Sequence, residues 1–161
     1  TELDRQTLMP VSGDWWAPDH PGWHALAIGP GPADDPGWVE AARLHRSGDW
    51  VYLVVNWGTC CEGLSSTYEL RIGRARSVEG PFLDRNGQDL GAGGGSLLMG
   101  TQGPQIGPGH AAFRLRDDGT TLISYHFYDA ERDGLPWIGE ALVTWKDGWP
   151  VVSRRLPPRK P

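Results

Sequence analysis

The sequence predicts an all-β protein, and three observations carry that prediction. With 23 Gly, 14 Pro and 9 Trp among 161 residues, the chain is rich in turn formers and large aromatics. Gly and Pro break helices, whereas aromatics sit well on a pleated surface. Its apolar residues fall in short runs of strand length, several alternating with period two, and few recur at helical spacing. Neighbouring runs are separated by Ser47-Gly48, Asp118-Gly119 and Asp147-Gly148, the kind of dipeptide that closes a hairpin. A chain of 161 residues is long enough for an ordinary core, and the aromatics argue against disorder.

Taken in order, residues 1–10 (TELDRQTLMP) read as a single short strand running into a turn. Residues 11–37 hold five prolines together with Trp15, Trp16 and Trp23, and read as a long loop. A loop of that length in a compact domain usually has a task or an interface. From residue 38 the pattern is regular. Trp38–Leu44 alternates, Asp49–Asn56 is strongly apolar, Tyr68–Arg74 alternates, and Gly80–Leu83 reads as a short outer strand. The glycine-rich stretch 91–98 then connects to a second unit with the same plan: His110–Leu115, Thr121–Tyr128, Trp137–Trp145 and Trp149–Val152. Glu40 near the start of one unit and His110 near the start of the other lie about 70 residues apart.

Repeated units of four short antiparallel strands are the signature of β-propeller blades. The expected organisation is the end of a preceding blade plus a Gly/Pro/Trp-rich loop over 1–37, one blade over 38–100, a last blade over 101–153, and a basic Pro-rich tail over 154–161. About two blades and one strand of a third do not close a propeller, which needs roughly four to eight. Such a piece would leave sheet edges and an apolar face bare, so another chain or an assembly is expected to complete it.

Charge and cysteine content narrow the function. The net charge of −5 offers no basic stripe for phosphates, so no nucleic-acid partner is expected. The basic cluster Arg154, Arg155, Arg159 and Lys160 is interrupted by prolines and reads as a solvated tail. No 18-residue apolar run and no signal pattern is present, so no membrane partner is expected. The chain opens on Thr1 and not on a methionine, which suggests a processed product whose leader is already gone. Cys60 and Cys61 are adjacent, so they cannot staple distant segments, and no Cys/His spacing suits zinc. They fall in NWGTCCEGLSSTY (56–68), where small residues between aromatics would let the backbone approach a flat, hydroxyl-rich ligand.

Six strings in this order carry a resemblance: WVEAARL (38–44), NWGTCCEGLSSTY (56–68), RIGRARSVEGPFLDRNGQDL (71–90), IGPGHAAF (106–113), YHFYDAERDG (125–134) and DGWPVV (147–152). Over residues 38–152 the chain resembles the C-terminal half of glycoside hydrolase family 43, specifically the five-bladed arabinan endo-1,5-α-L-arabinosidases. The resemblance implies an inverting hydrolase of α-1,5-linked arabinan or a related arabinose polysaccharide, secreted or periplasmic. Such chemistry needs one carboxylic acid to protonate the leaving oxygen and a second carboxylate to activate water. The acid has to hold its proton near neutral pH, which an apolar setting favours. Glu40, between Val39 and two alanines, matches the family's general-acid motif.

His110, in GPGH, matches the histidine that faces the central channel in the family and holds calcium or a similar ion largely through water. A hard cation prefers oxygen, so one imidazole implies a weak, water-rich site. The resemblance makes Asn56, Trp57, Cys60, Cys61 and Ser66 substrate-cleft residues. Tyr125, His126 and Tyr128 read as blade core and channel wall, Asp84, Asp89 and Asp129 as turn residues. Trp15, Trp16 and Trp23 suit either sugar stacking or an interface. The family's general base lies upstream of the matched region, and no aspartate from Asp4 to Asp35 sits in its motif. Activity is therefore expected to need an N-terminal propeller half. The rival reading is a non-catalytic carbohydrate-binding or self-associating half-propeller.

Overall fold

A computed structural model describes residues 3–11, 24–31 and 37–155. Two four-stranded antiparallel sheets account for most of them, each with its strands in sequence order. The first sheet comprises β1 (Val39–Ser47), β2 (Trp50–Trp57), β3 (Glu69–Ala75) and β4 (Ser96–Met99). The second comprises β5 (Gln105–Leu115), β6 (Thr121–Asp129), β7 (Leu135–Lys146) and β8 (Trp149–Ser153). Turn chemistry sets the hairpins. At the β7–β8 turn both Asp147 (φ 54°) and Gly148 (φ 70°) are left-handed, as a two-residue type I′ turn requires.

The sheets pack face to face. Tyr52, Val54, Leu70 and Ile72 of the first meet Ile123, Tyr125, Phe127 and Val143 of the second in one buried cluster. A second cluster lies on the other face of the first sheet, where Leu53, Val55 and Trp57 pack under Phe82 and Leu90. Leu26 and Ala27 close over that face, and the Ile28 amide donates to the Leu90 carbonyl at 3.0 Å. β2 is therefore buried on both faces, which explains why its sequence is an unbroken apolar run.

Two elements differ from the sequence-based expectation. Residues 3–10 do not form a strand: Leu3 bridges Pro10, and the Asp4 carboxylate accepts from the Gln6 and Thr7 amides at 2.9 and 2.7 Å. That bonding closes the segment into a local loop and leaves no extended edge to pair. The outer strand of the first sheet is Ser96–Met99 and not Gly80–Leu83. Of the latter, Leu83 alone bridges β3, at Arg74, while Ser96, Leu97 and Met99 pair Ile72, Arg71 and Leu70. Trp15, Trp16 and Trp23 lie outside the described residues, as do Arg159 and Lys160.

Arg74 clamps the two sheets at the end away from Glu40. Its guanidinium lies 4.2 Å from the Trp50 ring centre and 4.3 Å from that of Trp149. It also donates to the Gly148 carbonyl at 2.6 Å, an oxygen that accepts the Tyr52 hydroxyl as well. A planar guanidinium can stack and donate at once, and an ammonium cannot match both. Arg74→Lys in the full-length protein is expected to cost about 1–2 kcal/mol, the range of a desolvated cation–π contact. Denaturant unfolding measures it, and an unchanged midpoint would contradict the clamp.

Candidate active site

The innermost strands of the two sheets carry the same irregularity. In the first sheet the pairs Glu40↔Asn56 and Arg43↔Val54 bracket one extra residue on β1. In the second, Gly109↔His126 and Ala112↔Ser124 bracket one extra residue on β5. Each is a β-bulge, and each is built on a left-handed residue, Ala41 (φ 53°) and His110 (φ 55°). Ala41 and His110 are thus structural equivalents, and Glu40 corresponds to Gly109. Bulges re-aim side chains. Here they leave both Glu40 and His110 exposed at one level of adjacent strands.

Asn56 joins the two bulges. It is fully buried, and its Oδ1 accepts the His110 amide at 2.9 Å. Its Nδ2 donates to the Glu69 carbonyl at 3.2 Å and lies 3.5 Å from that of Pro108. Gly109 permits this contact, because a Cβ there would sit 2.8 Å from Asn56 Nδ2 and 3.0 Å from the Tyr68 ring.

Tyr68 is 1% exposed, and its hydroxyl donates to Glu40 Oε1. Burial first, and then the Glu40 carboxylate, push the Tyr68 phenol far above its ordinary value, so it stays protonated and donates. Its ring meets His126 edge-on at 5.8 Å, and the His126 and His110 ring centres are 6.3 Å apart. Burial, followed by the neighbouring His110, lowers the His126 pKa, so that imidazole is neutral at neutral pH. Glu40, Tyr68, His126 and His110 form one continuous row across the two sheets.

Loop 58–68 walls this row. Its neck is closed by the Thr67 amide on the Thr59 carbonyl and by the Thr59 amide on Thr67 Oγ1, both at 3.0 Å. A single 3-10 turn at Gly63–Ser65 shapes its tip. The loop docks on the second sheet through the buried Tyr128, whose hydroxyl accepts the Cys61 amide at 2.7 Å. Cys61 is exposed and Cys60 half-buried, both with free thiols. The neighbouring Cys61 thiol, then burial, push the Cys60 thiol up, with the charge of Glu40 adding to the rise and the Tyr68 hydroxyl opposing it.

The residues expected at the cleft divide by depth. Glu40 is engaged by Tyr68, the last residue of the loop that carries Cys60 and Cys61, and His110 stands exposed on the matching bulge of β5. Ser66 is buried, its Oγ accepting the Glu62 amide at 3.1 Å. Asn56 lies beneath the wall with its amide committed to backbone. Trp57 is buried on the opposite face with Val39, beneath the Arg71 guanidinium at 4.6 Å. Tyr125 and Tyr128 are buried, and Asp84, Asp89 and Asp129 cap turns through backbone amides. Sequence reasoning missed Tyr68, which it read only as a strand start. Its partner is 28 residues away, and a tyrosine at a strand start carries no signal of that bond. Among the described residues no three His, Cys, Asp or Glu side chains gather to hold a metal. An ion at this place would therefore take no more than scattered ligands from the described residues, His110 first.

Two consecutive four-stranded antiparallel sheets packed face to face, each with a bulge on its first strand, are the architecture of β-propeller blades. The chain belongs to glycosyl hydrolases family 43, whose family model matches residues 7–150. It is 38% identical over 119 residues to an extracellular exo-α-(1→5)-L-arabinofuranosidase of Cellvibrio japonicus, covering 73% of this chain and 34% of that protein. It is 31% identical over 150 residues to an extracellular endo-α-(1→5)-L-arabinanase of Bacillus subtilis, covering 93% and 42%. Among solved structures, the Cellvibrio cellulosa α-L-arabinanase complexed with arabinohexaose superposes with a TM-score of 0.68 at 38% identity, covering 71% of this chain and 36% of that one. A mutant form of that arabinanase gives a TM-score of 0.80 at 32% identity, covering 94% and 48%. The chain thus spans a third to a half of these relatives, and its two sheets are two blades of their five-bladed propeller.

Replacing Asn56 by Leu would strand the His110 amide and two carbonyls in a buried site. Leaving one buried polar group unpaired costs about 1–3 kcal/mol. The full-length variant is expected to lose at least that much stability by denaturant unfolding, and an unchanged stability would contradict the brace.

Proposed function

We propose that this chain is the acid-bearing part of an inverting glycosidase that cuts α-1,5-linked arabinan or a related arabinose polysaccharide outside the cell. The observation that supports the reading best is Glu40. It stands exposed on a bulge of an innermost strand, with one oxygen engaged by Tyr68, in a family 43 chain similar to an arabinanase complexed with arabinohexaose. Tyr68 occupies Oε1 and leaves Oε2 to carry the proton to the leaving glycosidic oxygen. A second carboxylate takes a proton from water, which attacks the anomeric carbon from the opposite face. The proposal takes that base from blades outside these 161 residues, in keeping with a chain that covers 34% and 42% of two relatives.

Cys60 and Cys61 line the sugar side of the wall, whereas Asn56, Trp57 and Ser66 support it from beneath. Calcium or a similar ion is part of the proposal, with His110 as its one imidazole and water filling the other positions. When bound, it supplies positive charge that favours ionised carboxylates near the channel.

Two substitutions test the roles. In the full-length protein, Glu40→Gln should lower kcat on arabinan by about 10²–10⁴-fold, the usual contribution of a general acid. Near-normal hydrolysis would rule the assignment out. Tyr68→Phe removes the hydroxyl that engages Glu40 Oε1, so kcat on arabinan should fall by about tenfold or more, the worth of one hydrogen bond to a charged group, while the unfolding midpoint holds. An unchanged kcat would show that Tyr68 only fills space.

A further inference from the structure

We propose that the adjacent thiols of Cys60 and Cys61 form a chelating site for soft, trivalent arsenic compounds, and that filling it closes the cleft at Glu40. The chelating half stands on the loop geometry alone; the closing half rests on the glycosidase reading above.

The two thiols are unpaired and stand on adjacent residues of one loop. A direct bridge between them is disfavoured. Gly80–Pro81 is the one cis peptide among the described residues, so the Cys60–Cys61 peptide is trans. Across a trans peptide the Cα atoms are about 3.8 Å apart, short of the roughly 4.4 Å at which ordinary disulfides begin. A strained bridge is easily reduced, which favours the dithiol. An atom bound by two sulfurs, with bonds of about 2.3 Å as in zinc thiolates, can span neighbouring thiols without that strain, because the sulfurs need not approach bonding distance of each other.

Soft ions select thiolate, and the donor set here has two sulfurs and little else. No three His, Cys, Asp or Glu side chains gather among the described residues, so an ion that needs four protein ligands is poorly served. A monosubstituted arsenical needs two. The pair is also held in place. Cys61 adopts a left-handed φ of 70°, its amide is fixed by Tyr128, and the loop neck is tied at Thr59 and Thr67. Cys61 is exposed and gives access, while Cys60 is half-buried in the same loop, whose last residue, Tyr68, engages Glu40. An aryl group carried on arsenic would then stand where the sugar must lie.

The reaction balances without any oxidant. The arsenical R–As=O meets two S–H groups, two As–S bonds form, the As–O bond breaks, and both thiol protons leave with that oxygen as water. Arsenic stays trivalent throughout. The test treats reduced full-length protein, freed of reductant, with phenylarsine oxide. One phenylarsenic per chain is expected by intact mass, with peptide mapping placing it on residues 56–68. Cys60→Ser and Cys61→Ser should each abolish it. Hydrolysis should fall in step with labelling and return with 2,3-dimercaptopropanol, but not with the same thiol concentration of 2-mercaptoethanol. Absent labelling of the wild-type loop, or equal labelling of either variant, would overturn the site. Full labelling with unchanged hydrolysis would overturn the closure. Because labelling is read by mass, a protein inactive on arabinan from the start would count against the glycosidase reading and leave the site test intact.

Discussion

The Asn56 side chain sits between the two sheets with no exposure, and its amide meets three backbone groups: the His110 amide and the Glu69 and Pro108 carbonyls. In a buried site polar groups need partners inside the protein, and by supplying one to these three the amide fixes where the second blade's bulge can sit. Asn56 also pairs Glu40 across the first sheet. One buried side chain thereby sets the level of the carboxylate on one inner strand and of the imidazole on the next. Gly109 completes the arrangement by its lack of a Cβ, which lets Asn56, Tyr68 and His126 converge.

From this brace the rest of the site follows by contact. Tyr68, buried by the same packing, reaches Glu40 and cannot ionise, so it acts as a fixed donor. Loop 58–68 then leans on the second sheet through Tyr128 and so belongs to both blades. At the opposite end Arg74 does the equivalent work with stacking and two carbonyls. The blades are thus joined at both ends by polar contacts, with the apolar cluster of Tyr52, Ile72, Ile123 and Phe127 between them. The outer face of the second sheet is less covered, with Ile138 76% exposed. That suits a face that another blade of a larger propeller would cover.

Much of the fold was legible in the sequence because its signals are local. Alternation and X-Gly turns marked β2, β3, β6, β7 and β8 to within a few residues. What was not legible depends on distant partners. Ser96–Met99 follows a glycine run and gains its strand only by pairing β3, whereas Pro81-Phe82-Leu83 looks apolar enough to be a strand and is mostly a turn-bounded loop. The bulges were invisible too, since an alanine such as Ala41 gives no sign of a left-handed backbone and a lone histidine such as His110 is only a weak one. The sequence spacing paired Glu40 with His110, but the true equivalent of His110 is Ala41. The acid and the histidine could be named by resemblance, and the same resemblance put Asn56 at the cleft without showing how deep Asn56 lies. Its burial is a property of packing between blades that no local pattern records.

The central claim is that the Asn56 brace raises Glu40 to meet a glycosidic oxygen. A crystal structure of the full-length protein with an uncleaved arabino-oligosaccharide tests it most directly. The account predicts a Glu40 carboxylate oxygen within about 2.6–3.2 Å of the scissile oxygen, the reach of a general acid, with Tyr68 on the other oxygen and Asn56 on the His110 amide. A sugar bound away from Glu40, or a Glu40 carboxylate turned from the scissile bond with the brace intact, would contradict it.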